Sequence, residues 1–167
     1  MSLLLGVLGL SLGSFLNVLA ARYDPDRFLV NRDTVGGRSR CPRCGTALRW
    51  YELLPIASYL LQRGRCRSCS GKISFVYPAA ELLSAFVFIV VPLRLEALYP
   101  LPTEHLLSSI LWIAAFELLL LLSLVDLRLR IVPDEINASL GALGVLAALF
   151  MASYPALGTS SFLGPYG

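Results

Sequence analysis

Residues 2–21 carry no charged side chain, and three further apolar runs follow at about 73–93, 106–125 and 136–154. About 20 apolar residues in an α-helix cross the hydrocarbon core of a bilayer. Lipid offers backbone groups no hydrogen-bond partners, so a span must be a helix or part of a closed barrel. Four such runs predict an all-α, polytopic membrane helix bundle of about four spans. The chain is 56% hydrophobic and only 15% charged, which a soluble domain of 167 residues rarely shows. A cleaved secretory signal is the other reading of the first run. No positive segment precedes it, however, and the run is longer than the apolar part of such signals.

The charge that exists is gathered in one place. Residues 22–77 hold 11 Lys/Arg against four Asp/Glu, a net of +7; the remainder holds three against seven, a net of −4. A short loop this basic stays on the cytoplasmic side. Parity then puts the N-terminus outside, residues 94–105 outside, and the third span's end near Asp126 back inside, where Arg128 and Arg130 agree with it. A basic loop also suits nucleic acid, but no aromatic-interleaved motif accompanies it, and no nucleic-acid partner is expected.

Inside the basic loop lie the only four cysteines, Cys41-Pro-Arg-Cys44 and Cys66-Arg-Ser-Cys69, with 21 residues between the pairs. Two residues between thiolates let both reach one ion, so the pattern predicts a tetrahedral zinc site and a small zinc-knuckle-like insertion. Two disulfides are the alternative and need an oxidising compartment; free buried thiols are the other. His105, the only histidine, falls on the opposite side of the membrane in this topology.

Acids mark two further places. Glu81 and Glu117 sit within spans, where acids usually face protein or a cavity, and packing or helix pairing is their expected role. Asp126 ends a long apolar run, so partial burial, and a second carboxylate near it, would raise its pKa. Two carboxylates sharing a proton can activate water against a peptide bond; an interfacial anchor is the alternative for Asp126. Pro133 disfavours helix at Val132, so the chain turns there, and Asp134 suits a helix cap as well as chemistry.

Together these residues resemble the bacterial prepilin peptidases, the bifunctional leader peptidase and N-methyltransferase enzymes. The resemblance runs through Gly13-Ser-Phe-Leu-Asn17-Val, Cys41-Pro-Arg-Cys44, Leu54-Pro55-Ile-Ala-Ser58-Tyr59-Leu and Arg63-Gly64-Arg-Cys66-Arg-Ser-Cys69. It continues in Lys72-Ile-Ser, Tyr77-Pro78-Ala-Ala-Glu81-Leu, and Val125-Asp126 followed eight residues later by Asp134. It implies a multi-pass aspartyl protease of the bacterial inner membrane that removes the basic leader of prepilins or pseudopilins at the cytoplasmic face. It also implies methylation of the new N-terminus from S-adenosylmethionine, with zinc in the cysteine loop. By position Asp126 is the first catalytic aspartate, and Asp134 a supporting residue of the same motif.

The family's second catalytic aspartate stands in a Gly-x-Gly-Asp motif, and no aspartate follows Asp134 here. The expected organisation is a first span at 1–21, the four-cysteine loop at 22–77, three spans at 78–154, and a tail at 155–167 marking an apparent truncation. An incomplete peptidase is therefore expected. The alternatives are a non-enzymatic zinc-binding membrane protein and a methyltransferase-only half. Oligomeric state is not legible.

Overall fold

The protein is described by a computed structural model, over residues 2–29, 32–96, 98–99 and 101–153. Among these residues the chain forms α1 (Ser2–Arg22), α2 (Arg32–Val35), α3 (Ala57–Leu61), α4 (Val76–Leu95), α5 (Pro102–Leu129) and α6 (Asp134–Ser153). A 3₁₀ turn occupies Trp50–Leu53. The only extended pairings among the described residues are two isolated bridges. Four helices, α1, α4, α5 and α6, are long and apolar enough to cross a membrane. The expected all-α membrane bundle is what forms. The end of the fourth run at Tyr154 and the 155–167 tail lie outside the described residues.

The third span begins earlier than its apolar run, at Pro102 rather than near Leu106. Proline's fixed φ and missing N–H suit the first turn of a helix. The span runs on to Leu129 and stops at Arg130, which turns left-handed (φ +55°) and returns its N–H to Asp126 O at 2.8 Å. Residues 131–133 then reverse the chain into α6.

Helices α1 and α4 approach so closely that no side chain fits on α1 at Gly9 or Gly13. A Cβ on Gly9 would stand 2.6 Å from Ala85 Cα, and one on Gly13 2.8 Å from Glu81 Cα. Lipid drives helices together weakly, so small residues four apart, which let backbones touch and dispersion accumulate, are the usual solution. Ser84 crosses the same seam, donating to the Gly9 carbonyl at 2.7 Å. Below it Leu16, Leu19, Ala20, Ala80, Leu121, Leu124, Val125 and Ile136 form the core shared with α5 and α6. Glu81 and Glu117 are both buried between helices, in keeping with packing roles.

One end of the bundle gathers the end of α1, the start of α4, the end of α5 and the start of α6. Asn17 Nδ2 donates to Tyr77 O at 3.0 Å, and Arg128 Nη1 to Ala20 O at 2.8 Å. Arg22, the last residue of α1, donates to the carbonyls of Thr34, Gly36 and Gly37 and so gathers the loop that follows. His105 belongs to the other end, where its Nε2 donates to Pro92 O at 3.0 Å.

Candidate metal centre and carboxylate end

The cysteine pairs are the same turn built twice. Gly45 N donates to Cys41 O at 2.9 Å, and Ser70 N to Cys66 O at 2.8 Å. Cys41 N then returns to Thr46 O at 3.0 Å and Cys66 N to Gly71 O at 2.8 Å. Bridges between Arg40 and Ala47, and between Arg65 and Lys72, close the base of each loop. The residue after each second cysteine is left-handed, Gly45 at φ +71° and Ser70 at +56°. Glycine adopts that region freely, whereas an L side chain there costs about 1–2 kcal/mol.

These turns bring the sulfurs of Cys41, Cys44, Cys66 and Cys69 within 4.8 Å of one another. Cys41 Sγ and Cys69 Sγ are 3.9 Å apart, far beyond a disulfide bond of about 2.05 Å. Four thiolates about 2.3 Å from a tetrahedral zinc ion stand about 3.8 Å apart. All four cysteines are free, so distance and donor chemistry both fit the metal rather than paired bridges.

The loops also prepare thiolates. Cys44 is held down to about 6, first by the Thr46 hydroxyl, 3.3 Å from its sulfur, and then by the Thr46 backbone N–H. Cys66 is lowered by the backbone N–H groups of Cys69 and Ser68. Cys69 has the Gly71 N–H pulling it down, but burial and the neighbouring thiols push it up to about 11. One member of a crowded set thus keeps its proton longest. A divalent cation held by the four sulfurs would replace that proton.

Asp126 and Asp134 both lie at this same end of the bundle, on the last turn of α5 and the first residue of α6. The expected partial burial of Asp126 is not found: its side chain is exposed. Leu124 and Val125 turn into the core, and the next position around the helix falls on the outer flank. Asp134 is exposed as well, one residue past buried Pro133.

Two contacts at this end were missed from sequence. Tyr23 is buried beneath the start of α6, and its phenol is pushed up by that burial and then by the carboxylates of Glu135, Asp134 and Asp24. Glu135 accepts the Leu29 N–H at 2.7 Å, pinning the chain after α1 against α6. Neither contact has a sequence signal: Leu29 and Glu135 stand 106 residues apart, and no motif links Tyr23 to the start of α6.

Residues 7–95 match the family description "Bacterial Peptidase A24 N-terminal domain". The chain is 40% identical over 156 residues to the prepilin leader peptidase/N-methyltransferase of Myxococcus xanthus, covering 93% of this chain and 41% of that one. It is 34% identical over 133 residues to the Bacillus subtilis protein of the same name, covering 80% and 48%. With the Vibrio cholerae protein it shares 33% identity over 162 residues, covering 95% and 60%. The family match includes the cysteine module, and the matches to these relatives extend over the carboxylate end as well. The chain belongs to the bacterial prepilin peptidase family and spans 41–60% of the length of these relatives. No solved structure matches it.

Proposed function

We propose that this chain carries the zinc-knuckle module and the first catalytic aspartate of a prepilin leader peptidase/N-methyltransferase of the bacterial inner membrane. The observation that supports this most is the gathering of the cysteine module, Asp126 and Asp134 at one end of a bundle whose curated relatives bear that name. The excess of Arg in residues 22–77 favours the cytoplasm for that end. A basic prepilin or pseudopilin leader lies there before it is cut.

In this reading Asp126 is the base. Its carboxylate takes a proton from water as the oxygen attacks the scissile carbonyl, and a second, protonated carboxyl hands its proton to the leaving amine. Exposure on the outer flank of α5 leaves Asp126 open to a substrate and to a partner acid. Asp134 stands across the α5–α6 turn and supports the motif. Cys41, Cys44, Cys66 and Cys69 are the zinc ligands, and zinc when bound supplies folding energy to the module. S-adenosylmethionine supplies the methyl group for the new N-terminus. The described residues include no glycine-rich loop opening a helix that would cradle it, so no residue is assigned to it and that activity rests on the relatives' names.

Prepilin processing in membranes, read as the gel shift on leader loss, tests the proposal. The chain is expressed alone, together with the Gly-x-Gly-Asp half of a relative, and in both settings as Asp126→Asn. Cleavage that requires Asp126 is expected, with a loss of about 10²–10⁴ in rate on substitution and a smaller loss for Asp134→Asn. Cleavage untouched by Asp126→Asn overturns the assignment. Zinc binding with no effect on prepilin in any setting favours a non-enzymatic zinc-binding membrane protein.

A further inference from the structure

The segment from Trp50 to Leu61 has a use that the zinc site and the carboxylates leave unexplained. It folds as a 3₁₀ turn, a sharp bend at Pro55–Ile56 and the short helix α3. Ile56 is left-handed at φ +59°, an uncommon state for a β-branched residue. Its N–H is received by Glu81 Oε2 at 2.7 Å, so the bend is tied to the side of α4 rather than to the cysteine loops.

Glu81 Cα faces Gly13, seven residues before Ala20, whose carbonyl holds the Arg128 guanidinium. At 1.5 Å per residue Glu81 therefore lies about 10 Å toward the bilayer from the Arg128 level. A helical side chain leans toward its own N-terminus, here back toward the loop end, by about one turn at most. The bend thus remains about 5 Å on the membrane side of the charged residues, the depth at which amphipathic segments sit among headgroups and upper acyl chains.

What the segment presents matches that depth. Trp50 is 76% exposed, Leu60 67% and Leu61 81%, with Leu53 and Leu54 also open. Arg63, Arg65 and Arg67 follow directly and line, with Leu61, an open groove of about 740 Å³. The exposed apolar side chains belong to the segment tied at that depth, and the arginines follow it in the chain. Apolar side chains followed by arginines complement an anionic lipid surface. Glu81 completes the arrangement, because backbone at that depth needs an acceptor that lipid does not supply.

We propose that residues 50–61 form a re-entrant foot, inserted beside α4 into the anionic leaflet in which the bundle stands, with Arg63, Arg65 and Arg67 on phospholipid phosphates. The occupant is the bilayer, not a second protein. The foot fixes the height and tilt of the zinc module over the membrane.

The test uses the whole chain with Trp112→Phe, which leaves Trp50 as the sole tryptophan. The protein is reconstituted in phosphatidylcholine, alone or mixed with phosphatidylglycerol, and quenched by lipids brominated high on the acyl chain or by aqueous iodide. The proposal expects strong bromolipid quenching and several-fold weaker iodide quenching than in a Leu60→Glu/Leu61→Glu variant, with the contrast larger when phosphatidylglycerol is present. Zinc content is measured in both proteins, so that a misfolded module is told apart from a released foot. Iodide quenching equal in the two zinc-loaded proteins, with no bromolipid effect, overturns the proposal. Protection from iodide without bromolipid quenching means that protein covers the face, and overturns it equally. Bromolipid quenching indifferent to phosphatidylglycerol removes the role given to the arginines.

Discussion

At the residue scale, two positions carry costs that can be measured. Gly45 has open space around its α-carbon, so Gly45→Ala acts through the backbone alone. The left-handed penalty of about 1–2 kcal/mol is partly offset by the lower entropy of unfolded alanine, about 0.5–1 kcal/mol. A net loss near 1 kcal/mol, or about fivefold in zinc affinity, is expected in a chelator competition. Tyr23 gives a pH prediction. Its raised phenol pKa means that the folded state keeps a proton which the unfolded state loses first, so its stabilisation is complete below the ordinary value of 10 and is lost as pH rises through the higher folded value. Tyrosinate absorbance should show a late-ionising group that is missing from Tyr23→Phe.

At the scale of elements, the α1–α4 seam is the least forgiving contact. Gly13→Leu must displace Glu81 Cα and Ser84 Cβ, backbone and near-backbone atoms with no rotamer to give. A loss of at least the 1–3 kcal/mol typical of overpacking is expected, read as earlier denaturation in detergent. Gly6→Ala meets only the flexible end of Ile89, at 3.2 Å, and should change little. The four spans were legible in the sequence because each is a long apolar run, and the cysteine turns because two residues between thiols let both reach one ion. The foot was not legible. Its helix is five residues long, too short to show a period, and the acceptor for Ile56 stands 25 residues further on. The burial of Asp126 was misjudged for a related reason. Hydropathy locates the end of a span but not which flank of the last turn faces the core.

At the scale of the whole molecule, the bundle and the cysteine module rest on different forces. The spans are held by the bilayer and the glycine seam, the module by its turns, by ties at Arg22 and Glu81 and, in the proposed zinc-bound form, by the metal. Stripping zinc with a chelator should therefore leave far-UV helix content nearly unchanged while residues 36–74 become open to protease. Loss of the spans together with the module would show that the two are one cooperative unit.

All four sulfur ligands precede Val76, where α4 begins. During synthesis the ion site can therefore close before the next span has left the ribosome. A folded, cross-linked knot of chain does not thread a translocation channel built for extended polypeptide. Metal capture would then act as a mechanical stop, fixing on which side the connection stays even if its arginines were neutralised. Orientation reporters on chains with neutralised arginines, with and without all four Cys→Ser changes, should separate the two stops, and only the chain lacking both should invert.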